Sequence, residues 1–356
     1  MANQPFIVSD ALKTEISTAI VKHCPADLPI RYAFLSGSIV EGLATPKSDF
    51  DIYLVSDSET LHKQQELFVA TSLGLLEITL VDLKTLSGIT ENVQQGFHAH
   101  PDLSIYQLIL AHRFSSGVPL LNDTVFLAAQ QAFTGKHLAN YLLHSSQKFS
   151  QKCFADAIGN LLAEDEDSAM FNADRAVHAA LDTLLALNGS TSPLIKWRTR
   201  YAKRFLGETN PVLHRYMELA ASLHAGNKAG KVQYISQAGR FIQALIDHAT
   251  AHALDVGHLA PLQESRVYGP EEFTEKRDRA CKSPFARLVE FKGAYVLCAT
   301  SPLFELSQES LLVWLAIDND KTQEEIVEAL RPTPIDPMVV QSHLTHLQAS
   351  GAVYFR

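Results

Sequence analysis

The spacing of apolar and polar positions changes three times along the chain. Between residues 30 and 82, short β-branched apolar runs alternate with small and polar residues. That period-two pattern predicts strands over 32–36, 51–55 and 75–81. Helices are expected before, between and after them: one capped by Ser9 and running to about residue 24, one over about 60–69, and one over 103–113. Ser115-Ser116-Gly117 stops the last of these. The alternation predicts a small mixed sheet with helices on one face. From about residue 133 to 259 the period becomes helical throughout, with helices over 173–187, 193–205, 211–224 and 231–254. Residues 260–284 have the Pro, Gly and mixed-charge composition of a linker, including the charged stretch 271–279. Beyond it, a hairpin over 287–298 is expected to turn at Lys292-Gly293. Ser307 and Thr322 then open two helices, the second with a capping box completed by Glu325. A helix over 337–349 and a strand over 352–355 close the chain. The fold class this predicts is α+β in three parts: residues 1–125, 126–260 and 285–356.

The most informative stretch is FLSGSIVEGLATPKSDFDIYLV, at 34–55. It reads as a strand, a small-residue bend at Gly37-Ser38, a few turns of helix, and a second strand. Asp49 and Asp51, two apart at the head of that strand, point to one face. Such a pair of like charges raises a pKa or destabilises the fold unless a cation lies between them. Hard carboxylate oxygens suit Mg²⁺. Glycine beside the pair lets a phosphate approach the backbone. A third acid, Glu77, sits in the apolar strand GLLEITLVDL, where a lone carboxylate is costly to bury unless paired or metal-bound. The spacing Gly37-x4-Gly42 also fits a Walker A loop. Leu43-Ala44 stands where that loop needs Lys and Ser/Thr, which excludes a P-loop enzyme.

Taken together, GS…G…SDFD and a later strand acid resemble the nucleotidyltransferase superfamily typified by DNA polymerase β, in its minimal form. Leu76-Glu77-Ile78-Thr79-Leu80-Val81 is similar to the third-acid strand of the streptomycin/spectinomycin adenylyltransferases, and HRFSSGVPLLND resembles the end of the catalytic module in related enzymes. The resemblance spans about residues 30–122. It implies that Gly37 and Ser38 hold a triphosphate, that Asp49 and Asp51 bind two Mg²⁺ (or Mn²⁺), and that Glu77 ligates one metal and helps deprotonate the attacking hydroxyl. In antibiotic nucleotidyltransferases a helical bundle follows such a module and the acceptor lies between the two, so 1–125 is expected to be catalytic and 126–260 to form the acceptor side. The last part, FELSQESLLVWLAIDNDKTQEEIVEAL…HLTHLQASGAVYF, is similar to PqqD-like winged-helix modules, which receive a peptide by strand addition. The same element order also suits a dimerisation or capping module.

Three functions stay open. One is transfer of a nucleoside monophosphate from an NTP, with ATP the first candidate, to a hydroxyl of a small molecule, releasing pyrophosphate. Another is the same transfer to a peptide or protein held by the C-terminal module. The third is an inactive, antitoxin-like nucleotide- or peptide-binding protein. Composition narrows the partners. A formal net charge of −9 argues against a general nucleic-acid binder. With 46% hydrophobic and 19% charged residues the chain can bury cores. No apolar run approaches a membrane span, the N-terminus lacks the charge and apolar core of a signal peptide, and Cys24, Cys153, Cys281 and Cys298 are scattered as in reduced proteins. A cytoplasmic location is expected.

The densest basic segment places Lys196, Arg200, Lys203 and Arg204 on one helix face, and Lys196 and Arg200 are candidate triphosphate ligands. A surface helix balancing an acidic chain has the same pattern. The acid run 164–167 suits a solvated loop or attraction of a cationic acceptor. His248 and His252 share a helix face but lack the Glu of a zinc protease. Asp174 and Asp182 are further acceptor candidates, and Trp197 fits base stacking or a core.

Overall fold

The protein, in a computed structural model, is described over residues 9–23, 28–57, 65–72, 74–222, 226–268, 278–298 and 303–356. Cys24, residues 60–64 of the expected second helix, and residues 269–277 of the charged linker lie outside these. The fold is mixed α+β and divides into two compact units: Met1–Leu142 with Gly189–Tyr201, and Leu143–Asn188 with Ala202–Arg356.

The first unit runs α1 (Asp10–His23), β1 (Ile30–Ser36), β2 (Phe50–Ser56), β3 (Gln65–Thr71), β4 (Gly74–Asp82), α2 (Leu83–Gln95), α3 (Ile105–Ser116), β5 (Val118–Leu121) and α4 (Asp123–Ala132). Its strands form one sheet in the order β3-β4-β2-β1-β5. β2 and β4 are parallel and the other neighbours antiparallel, which makes the sheet mixed.

Strand parity sorts the side chains. Ala33, Leu35, Ile52, Leu54, Ile78 and Leu80 lie on one face, in a core shared with Ile16, Ala19 and Ile20 of α1. The opposite face carries Phe34 and Tyr53, stacked at 5.0 Å, and Phe34 meets Phe114 of α3 and Phe126 of α4 at 5.8 and 5.2 Å. Helices therefore cover both faces, against the expectation of one, because each side of these strands is apolar and needs burial. Residues 65–69 are strand rather than helix. Leu67 and Val69 turn into the core while Glu66 and Phe68 stay exposed, and pairing with β4 selects the period-two reading of a short, ambiguous run. The bend after β1 is a set of hydrogen-bonded turns instead of helix: Glu41 N–H donates to Gly37 O (3.0 Å) and Leu43 N–H to Ser38 O (2.7 Å).

Helices α5 (Gly135–Leu162) and α7 (Arg198–Leu206) run from the first unit into the second. The second unit adds α6 (Glu166–Leu187), α8 (Pro211–Ala221), α9 (Lys228–Ala253) and α10 (Glu264–Tyr268). It continues with β6 (Ala280–Lys282), β7 (Arg287–Phe291), β8 (Ala294–Cys298), β9 (Phe304–Glu305), α11 (Gln308–Ala316), α12 (Gln323–Leu330), α13 (Pro337–Ala349) and β10 (Val353–Phe355). α6 packs along α9, and its buried residues include the small Ala173, Ala176 and Ala180. The C-terminal elements share one core with the end of α9 and the turn after it: Ala251, Leu259 and Ala260 cluster with Leu288, Leu297, Trp314 and Leu344. At its centre Lys282 Nζ pairs with Asp247 Oδ2 at 2.5 Å, both side chains 2% exposed, and Trp314 Nε1 donates to Asp247 Oδ1 at 3.0 Å.

Several local expectations are met to the residue. Ser307 and Thr322 cap α11 and α12, with the capping box to Glu325 formed. The β7–β8 hairpin turns at Lys292 (φ 52°) and Gly293 (φ 82°), the left-handed pair that a two-residue turn demands.

Candidate metal and nucleotide site

The site grows out of strand register. In the parallel ladder of β2 and β4, Asp51 lies directly beside Glu77, and across the β1–β2 ladder it lies beside Ser36. Asp49 immediately precedes β2. Asp49, Asp51 and Glu77 each present a carboxylate oxygen within 4.8 Å of the others, and among the described residues no other three His, Cys, Asp or Glu side chains form such a group.

These charges strain one another. Burial, then the charges of Asp51 and Asp49, push the Glu77 carboxyl up to about 7. Burial and the Asp49 charge raise Asp51 as well, against the opposing pull of Arg113. A cluster whose acids resist ionisation is one that a cation would stabilise.

Gly37 makes the geometry possible. Its φ is +84°, and a Cβ there would lie 1.7 Å from Asp51 Oδ2 and 2.9 Å from Arg113 Nη1. Only glycine allows the bend to pass this close to the acid. Ser38 follows it, buried, in the turn that runs to Leu43.

Residues 19–118, which include every one of these groups, match the family model of the nucleotidyltransferase domain. This segment is a nucleotidyltransferase domain. The match covers those residues alone. Among solved structures, a nucleotidyltransferase-like protein from Exiguobacterium sibiricum 255-15 is similar, at 11% identity over 68% of this chain and 78% of that chain. Its TM-score of 0.42 carries no further argument. No curated protein matches the chain. No helix among the described residues is long and apolar enough to cross a membrane.

Lys196 and Arg200, predicted from a distant basic segment, fall in the same compact unit as the nucleotidyltransferase domain. The Lys196 charge acts on Asp51. Arg200 Nη1 donates to the Leu43 carbonyl at 2.7 Å, and its guanidinium lies 4.7 Å from the Trp197 ring centre. Lys203 belongs to the other unit, where it pairs with Glu208 at 3.6 Å. The acid run is largely matched by lysines: Glu166 pairs with Lys228 and Asp167 with Lys231. Asp174 is engaged by His178 and Tyr234, and His248 by the Ala260 carbonyl.

Four residues of the site escaped the sequence reading. Arg113 is buried between Glu41, at 3.3 Å, and Asp51, at 3.6 Å. His112 Nε2 lies 3.2 Å from Glu41 Oε1, while its Nδ1 meets Thr191 Oγ1 at 2.9 Å. The Tyr201 hydroxyl donates to Glu41 Oε2. Burial alone would raise the Glu41 carboxyl. Its hydrogen bonds from His112 and Tyr201, and the charges of His112 and Arg113, outweigh that and hold it below the usual range. A charged pair inside the apolar run Ile109-Leu110-Ala111-His112-Arg113-Phe114 was a usable signal, since such a pair needs buried partners. Glu41 gave none, because Tyr201 is 160 positions away.

Proposed function

We propose that the chain is a Mg²⁺-dependent nucleotidyltransferase that moves a nucleoside monophosphate from an NTP, ATP first among them, to a hydroxyl of a small acceptor. The observation that carries this is the meeting of Asp49, Asp51 and Glu77 on adjacent parallel strands, beside a bend only glycine can make. The donor set fits the metal: three hard carboxylates with excess negative charge suit Mg²⁺ and leave little for softer ions. Asp49, Asp51 and Glu77 would hold it. Bound there, it would neutralise the triphosphate and acidify the acceptor hydroxyl.

The chain's own groups do the rest. Gly37 and the Ser38 turn offer close backbone approach to the phosphates, and Lys196 adds positive charge near Asp51. The acceptor oxygen attacks the α-phosphorus, the bond from that phosphorus to the bridging oxygen breaks, and pyrophosphate leaves. The hydroxyl proton passes to the Glu77 carboxylate, which acts as the general base. A cytoplasmic setting accords with this chemistry.

Transfer to a peptide on a winged-helix C-terminal module is less supported. The Leu288 carbonyl of edge strand β7 already accepts from Gln151 Nε2 (2.5 Å), and Arg287 Nη1 donates to the Gln151 carbonyl (3.2 Å). A peptide adding to that edge would have to displace both. The test is incubation of the full chain with each NTP, Mg²⁺ and a panel of hydroxyl-bearing small molecules and peptides. Pyrophosphate release with a nucleotidylated small molecule is expected. No Mg-NTP binding by calorimetry and no pyrophosphate with any acceptor would leave the inactive, binding-protein reading in its place.

A further inference from the structure

We infer that Glu41 is a positioning residue that sets the metal affinity of the acidic trio by holding Arg113 away from full pairing with Asp51. The inference rests on the metal reading above and concerns a residue outside the three carboxylates.

Arg113 pairs with Asp51, and its guanidinium is divided. One nitrogen faces Glu41 Oε1 at 3.3 Å and the other faces Asp51 Oδ1 at 3.6 Å. The side chain is 6% exposed, its Nε has no hydrogen-bond partner among the described residues, and beside the Tyr53 hydroxyl its charge is divided between the Glu41 and Asp51 carboxylates. Glu41 cannot swing away to release it. The Tyr201 hydroxyl and His112 Nε2 both hold its carboxylate, and His112 is braced in turn by Thr191. The Gly37 bend closes the other side, with Arg113 Nη1 only 2.9 Å from where a Cβ would stand.

The consequence is electrostatic. A cation fully committed to Asp51 would neutralise the ligand and compete with a divalent ion, whereas a cation drawn toward Glu41 leaves Asp51 available. Glu41 therefore acts on the metal through Arg113 and touches neither metal nor substrate.

A double-mutant cycle on the full chain, read by Mn²⁺ binding in calorimetry without nucleotide, tests this. Glu41→Gln should weaken Mn²⁺ binding about tenfold, one pKa unit's worth of extra pairing at Asp51. Glu41→Gln/Arg113→Gln removes both charges, a change that buried pairs tolerate well, and should bind Mn²⁺ at least as tightly as the parent. Equal Mn²⁺ affinity in Glu41→Gln and parent overturns the inference, whatever the melting temperature does. So does a double variant that binds more weakly than the parent, and this arm stands even if Glu41→Gln does not fold. A parent that binds no Mn²⁺ fails at the earlier step and refutes the metal reading itself.

Discussion

The two units bury charge in opposite ways. In the second, Lys282 and Asp247 form one ion pair, completed by the Trp314 indole N–H and by the Trp314 ring 4.4 Å from the ammonium. Arg266, equally buried, donates to the carbonyls of Leu259 and Leu315. Each charge in this core has a partner. In the first unit, Glu41 and Asp51 share the one buried Arg113 guanidinium, Asp49 and Glu77 gather beside Asp51, and Asp51 and Glu77 resist ionisation. A balanced cluster ties β6, α9 and α11 together. An unbalanced one raises the free energy of the metal-free protein and reserves a place for a cation. The sign of the leftover charge separates a structural network from a functional one.

The largest expected effect comes from removing a ligand. Asp51→Asn should lower kcat by on the order of 10²–10³, since metal clamping is a term of about 3 kcal/mol or more. The melting temperature should hold or rise, because a buried like charge is relieved. A steady-state assay paired with a thermal melt checks both. Lys282→Ala should do the reverse. It leaves Asp247 buried without its cation and costs about 3–5 kcal/mol of stability, while turnover per folded molecule is unchanged. Denaturant titration beside an active-fraction assay separates the two outcomes, and a variant that stayed stable but lost turnover would erase the contrast between the networks. Next in size is Gly37→Ala. The positive φ alone costs about 1–3 kcal/mol, and the new methyl must push the Asp51 carboxylate aside. Weaker Mn²⁺ binding together with a lower melting temperature is expected.

The sequence revealed one network and hid the other. Asp51 and Glu77 were legible because each sits in an apolar strand where a carboxylate has no ordinary reason to be, and parity put Asp49 on the face of Asp51. Capping residues Ser307 and Thr322 and the Lys292-Gly293 turn were legible because a local hydrogen bond or a local φ fixes them. β3 was not, since 65–71 fits two periods and only β4 decides between them. The Lys282–Asp247 pair and the Glu41–Arg113 contact join residues 35 and 72 positions apart. No local pattern marks such partners, and only the closed core reveals them. Lys196 lay between these cases: its basic segment was visible, its electrostatic reach to Asp51 was not.

The smallest effect is a pH dependence, and it sharpens the comparison most. Glu77 titrates near 7 in the folded chain against 4.5 for a free glutamate, raised first by burial and then by Asp51 and Asp49. Between those values the folded metal-free protein holds a proton that the unfolded chain has released. Stability from this group is thus present at low pH and is lost as pH rises through about 7. A metal must displace that proton. Mn²⁺ affinity should therefore climb with pH by at most tenfold per unit, about 1.4 kcal/mol, and level off above 7. Lys282, pushed down to about 8 by burial, stays charged throughout this window. The balanced pair consequently adds no slope there, and the metal dependence belongs to the acidic trio, whereas buried His248, held below its usual range, adds a stability slope of opposite sign. Glu77→Gln should flatten the metal curve between pH 5 and 7. A slope that survived that substitution would move the titration to another group and end the case for Glu77 as the base.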